Sequence, residues 1–330
     1  MKMKRREFIT LAGGAALAWP LPLSAQQPDR VRRIGVLVGL SEDDPGMKPR
    51  LAALRQELDR LGWMEGHNVR IDHRYAPGGA RAEELAKELV ALQPEVILAH
   101  TVSMAAALQR QTRAIPIVFV SVGDPFGAGF IASLARPGGN LTGLMTFEAS
   151  ISGKWVAMLK EVVPRLIRAM FIGNAKFATY DYYLSAADAA ARALALELVP
   201  ARIENVSDIE RSIEVFAREP DGALVVAPDL TTAAHGDLIV ALAARHRLPA
   251  VYAFSYLVAA GGLMSYGTDR VAEMRQAASY VDRILRGAAP GDLPVQTPTK
   301  FETSVSLKTA KALGLEIPPT LIARADEVIE

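Results

Sequence analysis

From Arg33 onward, apolar runs of strand length alternate with stretches whose apolar residues recur every three or four positions. Ile34-Gly35-Val36-Leu37-Val38 carries almost no polar residue and reads as a strand buried on both faces. Leu51, Leu54, Leu58 and Leu61 then share one helical face over Met47 to Leu61, and Gly62 supplies the stop. The pattern repeats with a strand at Val69 to His73, a helix at Arg81 to Leu92 and a strand at Glu95 to Ala99. A helix at Thr101 to Gln111 and a strand at Ile115 to Val120 follow. Such β-α repetition predicts a parallel sheet with helices on both faces.

The alternation restarts with a helix at Trp155 to Val163 and a strand at Ala169 to Ile172. An Ala-rich helix is expected over Tyr182 to Leu198, then a strand at 199–203, a helix at 208–218, a strand at Ala223 to Val226, a helix at 233–246 and a strand at Ala250 to Tyr252. Two α/β modules of similar size are therefore expected, and 330 residues that are 50% hydrophobic suffice for two cores. The glycine-rich stretch Gly138 to Gly143 reads as a hinge between them. The glycine-bracketed strand Gly261 to Gly267 precedes an amphipathic helix at Arg270 to Arg286 and suits a second crossing; the extended, Pro-rich stretch Pro290 to Pro298 suits a third.

The first residues do not belong to this pattern. Met1 to Arg6 are basic, Phe8 to Leu23 mostly apolar, and Leu23-Ser24-Ala25 resembles a cleavage site before Gln26, the order of an export signal over residues 1–25. Arg5-Arg6-Glu7-Phe8-Ile9 resembles a twin-arginine signal. Four of the 37 bases and one of the 36 acids lie in this segment, so the remainder stands at −2 and shows no electrostatic footprint for nucleic acid or an anionic membrane. With no cysteine there is neither a thiolate metal site, a cysteine nucleophile, nor a lipid-attachment cysteine, so no membrane anchor is expected.

Ligands of open parallel sheets bind beyond the carboxyl ends of the strands. In the first module those turns carry Ser41, then Thr101 and Ser103 beside His100, then Ser121 and Asp124. In the second they carry Asn174, Asp229, and Ser255 between Phe254 and Tyr256, just after Tyr252. Hydroxyls and helix-end N–H groups suit a carboxylate or another small anion. Asp124 and Asp229 could receive an ammonium group, and the aromatics could wall an apolar moiety. Each of these residues also has a plainer role, the hydroxyls and carboxylates as N-caps and the aromatics as core. The five histidines show no metal-ligand spacing, and there is no nucleophile elbow, P-loop or dinucleotide fingerprint; no metal, cofactor or catalytic residue is expected.

Five stretches together resemble the substrate-binding proteins of ABC transporters whose members bind tryptophan or tyrosine. They are Arg33 to Leu37, Ala135-Arg136-Pro137-Gly138-Gly139-Asn140-Leu141-Thr142-Gly143, Ala260 to Gly267, Thr299-Lys300-Phe301-Glu302 and Leu307 to Leu315. The resemblance implies a type I periplasmic-binding-protein fold: two doubly wound parallel-sheet lobes joined by three hinge crossovers, with the ligand between them. It places one lobe at 31–145 plus about 268–293, and the other at 146–266 plus about 297–330. It implies a small-molecule ligand (an amino acid, aromatic acid or small carboxylate), an ABC permease as partner and a periplasmic location. Ser121 and Asp124 match the family's Ser-x-x-Asp-Pro turn, and Thr101 and Ser103 its turn after the third strand. Asn174 matches the Asn that opens the second lobe, followed here by Ala175 where relatives have proline. Two other readings are an exported α/β hydrolase or isomerase, and a receptor serving a sensor or chemoreceptor. If residues 1–25 are an export signal, N-terminal sequencing of protein from the native host should begin near Gln26; a cytoplasmic product starting at Met1 would contradict it.

Overall fold

The computed structural model describes residues 31–330 apart from Pro45 and Ala178, so the expected export signal at 1–25 lies outside the described residues. The body, Arg32–Glu330, is built on two sheets.

The first sheet uses β1 (Arg32–Val38), β2 (Val69–Tyr75), β3 (Val96–His100), β4 (Ile117–Val122) and β5 (Leu141–Met145), all parallel, in the order β2-β1-β3-β4-β5. Between them run α1 (Met47–Arg60), α2 (Ala82–Ala91) and α3 (Val102–Gln111). Met47, Leu54 and Leu58 of α1 bury one face of this sheet with Met274 and Val281, while Leu85 and Leu89 of α2 and Met104 and Leu108 of α3 bury the other. Gly62 ends α1 as its spacing predicts. Its φ of +94° is open to glycine at little cost, and the N–H of Trp63 reaches back to the carbonyl of Leu58 at 2.8 Å.

The second sheet follows α4 (Ser150–Val162). Its strands are β6 (Arg168–Gly173), β7 (Glu197–Arg202), β8 (Gly222–Val226), β9 (Ala250–Tyr252), β10 (Met264–Thr268), β11 (Phe301–Ser306) and β12 (Glu327–Ile329). They lie in the order β12-β11-β10-β9-β8-β6-β7, parallel except where β10 meets β11. The helices are α5 (Thr179–Ala193), α6 (Val206–Phe216), α7 (Leu230–Ala234), α8 (Gly236–Arg245) and α9 (Ser255–Ala259), then α10 (Arg270–Leu285), α11 (Leu307–Leu313) and α12 (Pro319–Ala323). Trp155 and Leu159 of α4 with Tyr183 and Ala187 of α5 cover one face; Ile209 and Ile213 of α6 with Ile239 and Leu242 of α8 cover the other.

The chain passes between the lobes three times. It leaves the first sheet after β5 for α4, returns after β10 so that α10 packs on α1 and β4, and leaves again after a 3-10 turn at Pro290–Asp292 to form β11. Two α/β lobes joined by three crossings are thus the architecture that the alternation and the resemblance imply.

The expected hinge at 138–143 instead ends in strand: Leu141 to Gly143 pair with Ile117 to Phe119, and the first crossing follows Met145. The helix expected to reach Leu198 stops at Ala193, because Ala195 turns left-handed and Glu197 onward pairs with β6; tertiary pairing overrides the helix-favouring run. The helix expected at 233–246 is two, α7 and α8, broken where His235 leaves helical dihedrals. Backbone contact at Gly143 is tight: a Cβ there would stand 2.0 Å from the carbonyl oxygen of Phe119. Gly143→Val should therefore destabilise the protein by more than about 3 kcal/mol, read by thermal or urea unfolding.

Candidate functional site

In each sheet the order of connection reverses, between β1 and β3 in the first and between β6 and β8 in the second. The carboxyl ends of the strands at such a reversal leave a crevice. Here the two crevices face one another across a cavity of about 1370 Å³ lined from both lobes. The lobes touch beside it, since the space above the Gly39 Cα is bounded by Thr101 of the first lobe and Leu230 of the second.

On the first-lobe side, β3 and β4 end in residues held at positive φ, Thr101 at +87° and Ser121 at +62°. Side chains rarely adopt this conformation, and surrounding contacts must hold it. Those around Ser121 are visible. Its N–H donates to Glu273 Oε1 at 2.9 Å, and its Oγ accepts from Arg270 Nη2 at 2.5 Å. Arg270 Nη1 donates to Thr146 Oγ1 at 2.9 Å and pairs with Glu273 at 3.3 Å; the arginine also lies over the Phe254 ring at 5.2 Å. Glu273 is buried, at 8% exposed, and Arg270 nearly so, at 11%. This network joins the start of α10, at the second crossing, to the ends of β4 and β5.

His100 is buried against the cavity, and neither ring nitrogen has a hydrogen-bond partner among the described residues. Burial, with Arg50 and Arg270 nearby, holds its pKa well below the usual histidine value, so the ring is neutral at neutral pH. Arg50 lines the cavity from α1 and is 8% exposed. Burial foremost, then the Arg270 charge, lowers its pKa to about 10, which leaves it a cation at neutral pH.

On the second-lobe side, Asp229 caps α7. Its carboxylate accepts the N–H groups of Thr231 (2.8 Å), Thr232 (2.9 Å) and Asn174 (2.8 Å). Burial raises its pKa to about 6 against these hydrogen bonds, which work in the other direction. Asn174 donates to Thr231 Oγ1 at 2.8 Å and accepts from Lys176 N–H at 2.9 Å, so it staples the ends of β6 and β8. Phe254 and Tyr256 stack with centroids 5.8 Å apart and planes 11° apart, and both line the cavity.

Of the residues singled out in the sequence, Ser41, Thr101, Ser103 and Ser121 line the cavity from the first lobe. Asp229, Phe254 and Ser255 line it from the second. Three others stand outside the lining. Asp124 turns into its own loop, accepting the Gly127 N–H at 2.8 Å, as a capping residue does. Asn174 is spent on the staple, and Tyr252, 1% exposed, packs in the core against α8 because alternate residues of β9 point to opposite faces. Arg50, Arg270, Thr146 and Thr268 line the cavity without having been singled out. Two of these left a trace: Arg50 falls on the apolar stripe of α1, three residues after Met47 and four before Leu54, and Arg270 puts a cation at the first turn of a helix, where the helix dipole disfavours it.

A family model described as ABC transporter substrate binding protein matches residues 33–329. A protein of Clostridioides difficile (strain R20291) named Tyrosine-binding protein is 24% identical over 282 residues, covering 84% of this chain and 81% of that one. The crystal structure of a conserved domain protein from Vibrio cholerae is similar with a TM-score of 0.85 at 27% identity, covering 91% of this chain and all of that one. An ABC domain from Streptococcus pneumoniae in complex with L-Trp is similar with a TM-score of 0.84 at 23% identity, covering 90% and 99%.

The buried pair at the second crossing generates a prediction of its own. Glu273→Ala strands the Arg270 charge and frees the Ser121 N–H, and should cost the ligand-free protein about 3 kcal/mol of stability in a denaturation experiment.

Proposed function

The chain belongs to the family of ABC transporter substrate binding proteins, and on that footing we propose that it is the periplasmic solute receptor of an importer, holding a small carboxylate-bearing molecule between its lobes for delivery to the membrane permease. The observation that carries this reading is the cavity itself, lined from both lobes at the switch points of both sheets. A ligand that contacts both lobes favours the closed arrangement, and a permease that recognises the closed arrangement then takes up the loaded receptor in preference to the empty one.

Thr101, Ser103 and Ser121 from the first lobe and Ser255 from the second supply hydroxyls, and Phe254 and Tyr256 an apolar wall. Ser41 adds an exposed hydroxyl to the lining, and Asp229 holds the second-lobe turn in shape. Solutes of this kind are amino acids, as the names of two relatives indicate for those proteins, aromatic acids and short carboxylates. The receptor is exported by the signal read at residues 1–25, and it binds without transforming. In support of the last point, the ring nitrogens of His100 contact neither a nucleophile nor an orienting carboxylate among the described residues, as a catalytic base would.

A thermal-shift panel of amino acids, aromatic acids and short carboxylates on the mature protein tests this. A true ligand at a hundred times its Kd adds about 2.7 kcal/mol of stability, a readily measured shift, and no substrate should be consumed. Turnover of a stabilising compound, or a flat response to every solute, would count against the receptor reading.

A further inference from the structure

Building on the receptor reading, we propose that the solute is an aromatic carboxylate that lacks an α-ammonium group, with its carboxylate held by Arg50. Arg50 is 8% exposed, lines the cavity and makes no hydrogen bond or ion pair among the described residues. A buried cation left unpaired is costly, so its position makes sense if a ligand supplies the counter-charge. The planar guanidinium fork matches a carboxylate in a bidentate way that a lysine could not.

The other buried polar atoms left uncommitted around it belong to cationic or neutral side chains. Arg270 Nε, Thr101 Oγ1, Thr268 Oγ1 and both nitrogens of His100 are buried without partners among the described residues, and each of these residues lines the cavity.

An amino acid would also need an acceptor for its ammonium group, and the acids near the cavity are engaged or at its edge. Asp229 takes three backbone N–H groups, and Asp269 takes those of Val271 and Ala272. Glu273 is held by Arg270 and the Ser121 N–H. Glu83, Glu84 and Glu302 are paired with Arg110, Arg81 and Lys300. Asp237 is exposed. Asp124, the acid best placed by sequence to receive an ammonium, caps its own loop outside the lining. That leaves Asp44, half-buried, accepting the Met47 N–H at 2.8 Å, and acting on Arg50 more weakly than any of its other charged neighbours. Among the described residues, an ammonium group brought into this cavity meets a free arginine and no uncommitted buried carboxylate. The apolar body of the solute has the stacked Phe254 and Tyr256, with Phe177 and Leu230, to lie against.

Isothermal titration of the mature protein with three matched pairs tests the proposal: phenylpropionate and phenylalanine, hydroxyphenylpropionate and tyrosine, indolepropionate and tryptophan. At least one of the propionates should bind, and at least about tenfold more tightly than its amino acid. Arg50→Gln should weaken that binding about ten- to a hundredfold, with Arg50→Lys falling between. The Tm of ligand-free Arg50→Gln should be unchanged or raised, because the variant removes a buried, unpaired charge. The proposal is overturned if the amino acids bind as well or better, most directly if Asp44→Asn then abolishes their binding. Unchanged propionate affinity in Arg50→Gln, or a loss of its ligand-free Tm, overturns it too, since the arginine would then be structural. Failure of all three propionates also ends it: the receptor reading survives if another solute in the thermal-shift panel binds, and falls with it if none does.

Discussion

The buried ion pair of Arg270 and Glu273 sits where three requirements of the structure meet. It occupies the first turn of α10, directly after the strand that belongs to the second sheet, and so marks the point at which the chain re-enters the first lobe. It receives the N–H of Ser121, a residue held in a conformation that needs outside support. It also presses a guanidinium over Phe254, which belongs to the opposite wall of the cavity. A buried pair of this kind contributes little net stability compared with apolar replacements, but losing one partner is costly, so its value lies in holding one arrangement of the crossing.

With both terminal nitrogens of Arg270 held by protein groups, the polarity of the cavity is set by what remains. Arg50 stays charged and unpaired, His100 stays neutral because burial and two arginines oppose its protonation, and most acids along the wall are spent on helix ends or surface arginines. The turns at the strand ends therefore do double duty. Their hydroxyls and carboxylates cap helices, as Asp229 and Asp269 show, and the donors left over face inward.

This division explains why the site was only partly legible. That ligand-facing groups would lie on the turns beyond the carboxyl ends of the strands was legible from the alternation, and that the two sets of turns would face one another came from the family resemblance; seven of the ten residues singled out line the cavity. Which side chain of a turn points inward is a different matter. Asp124 could cap its loop or face a ligand with the same local sequence, and a turn of backbone at Gly127 decided it. Tyr252 was one residue of strand register away from the wall. The arginines on α1 and α10 come from helices far apart in sequence, and only the packing of α10 against α1 and β4 brings them to the same cavity.

By itself, then, the sequence determined that the chain makes two parallel α/β modules with their loops at one edge, because apolar periodicity depends on local backbone geometry alone. It carried the signature of the family in short runs such as Arg136-Pro137-Gly138-Gly139-Asn140, and it marked Arg50 as a charge on an apolar stripe without saying what it faced. The tertiary structure alone decided where the crossings fall, ending α5 early and making Leu141 to Met145 a strand of the first sheet, since strand pairing is a contact between distant segments that outweighs local preference. It alone also decided the charge of the cavity, because an ionic group's partners, and hence whether it is free to bind anything, are assigned only when the whole chain is packed.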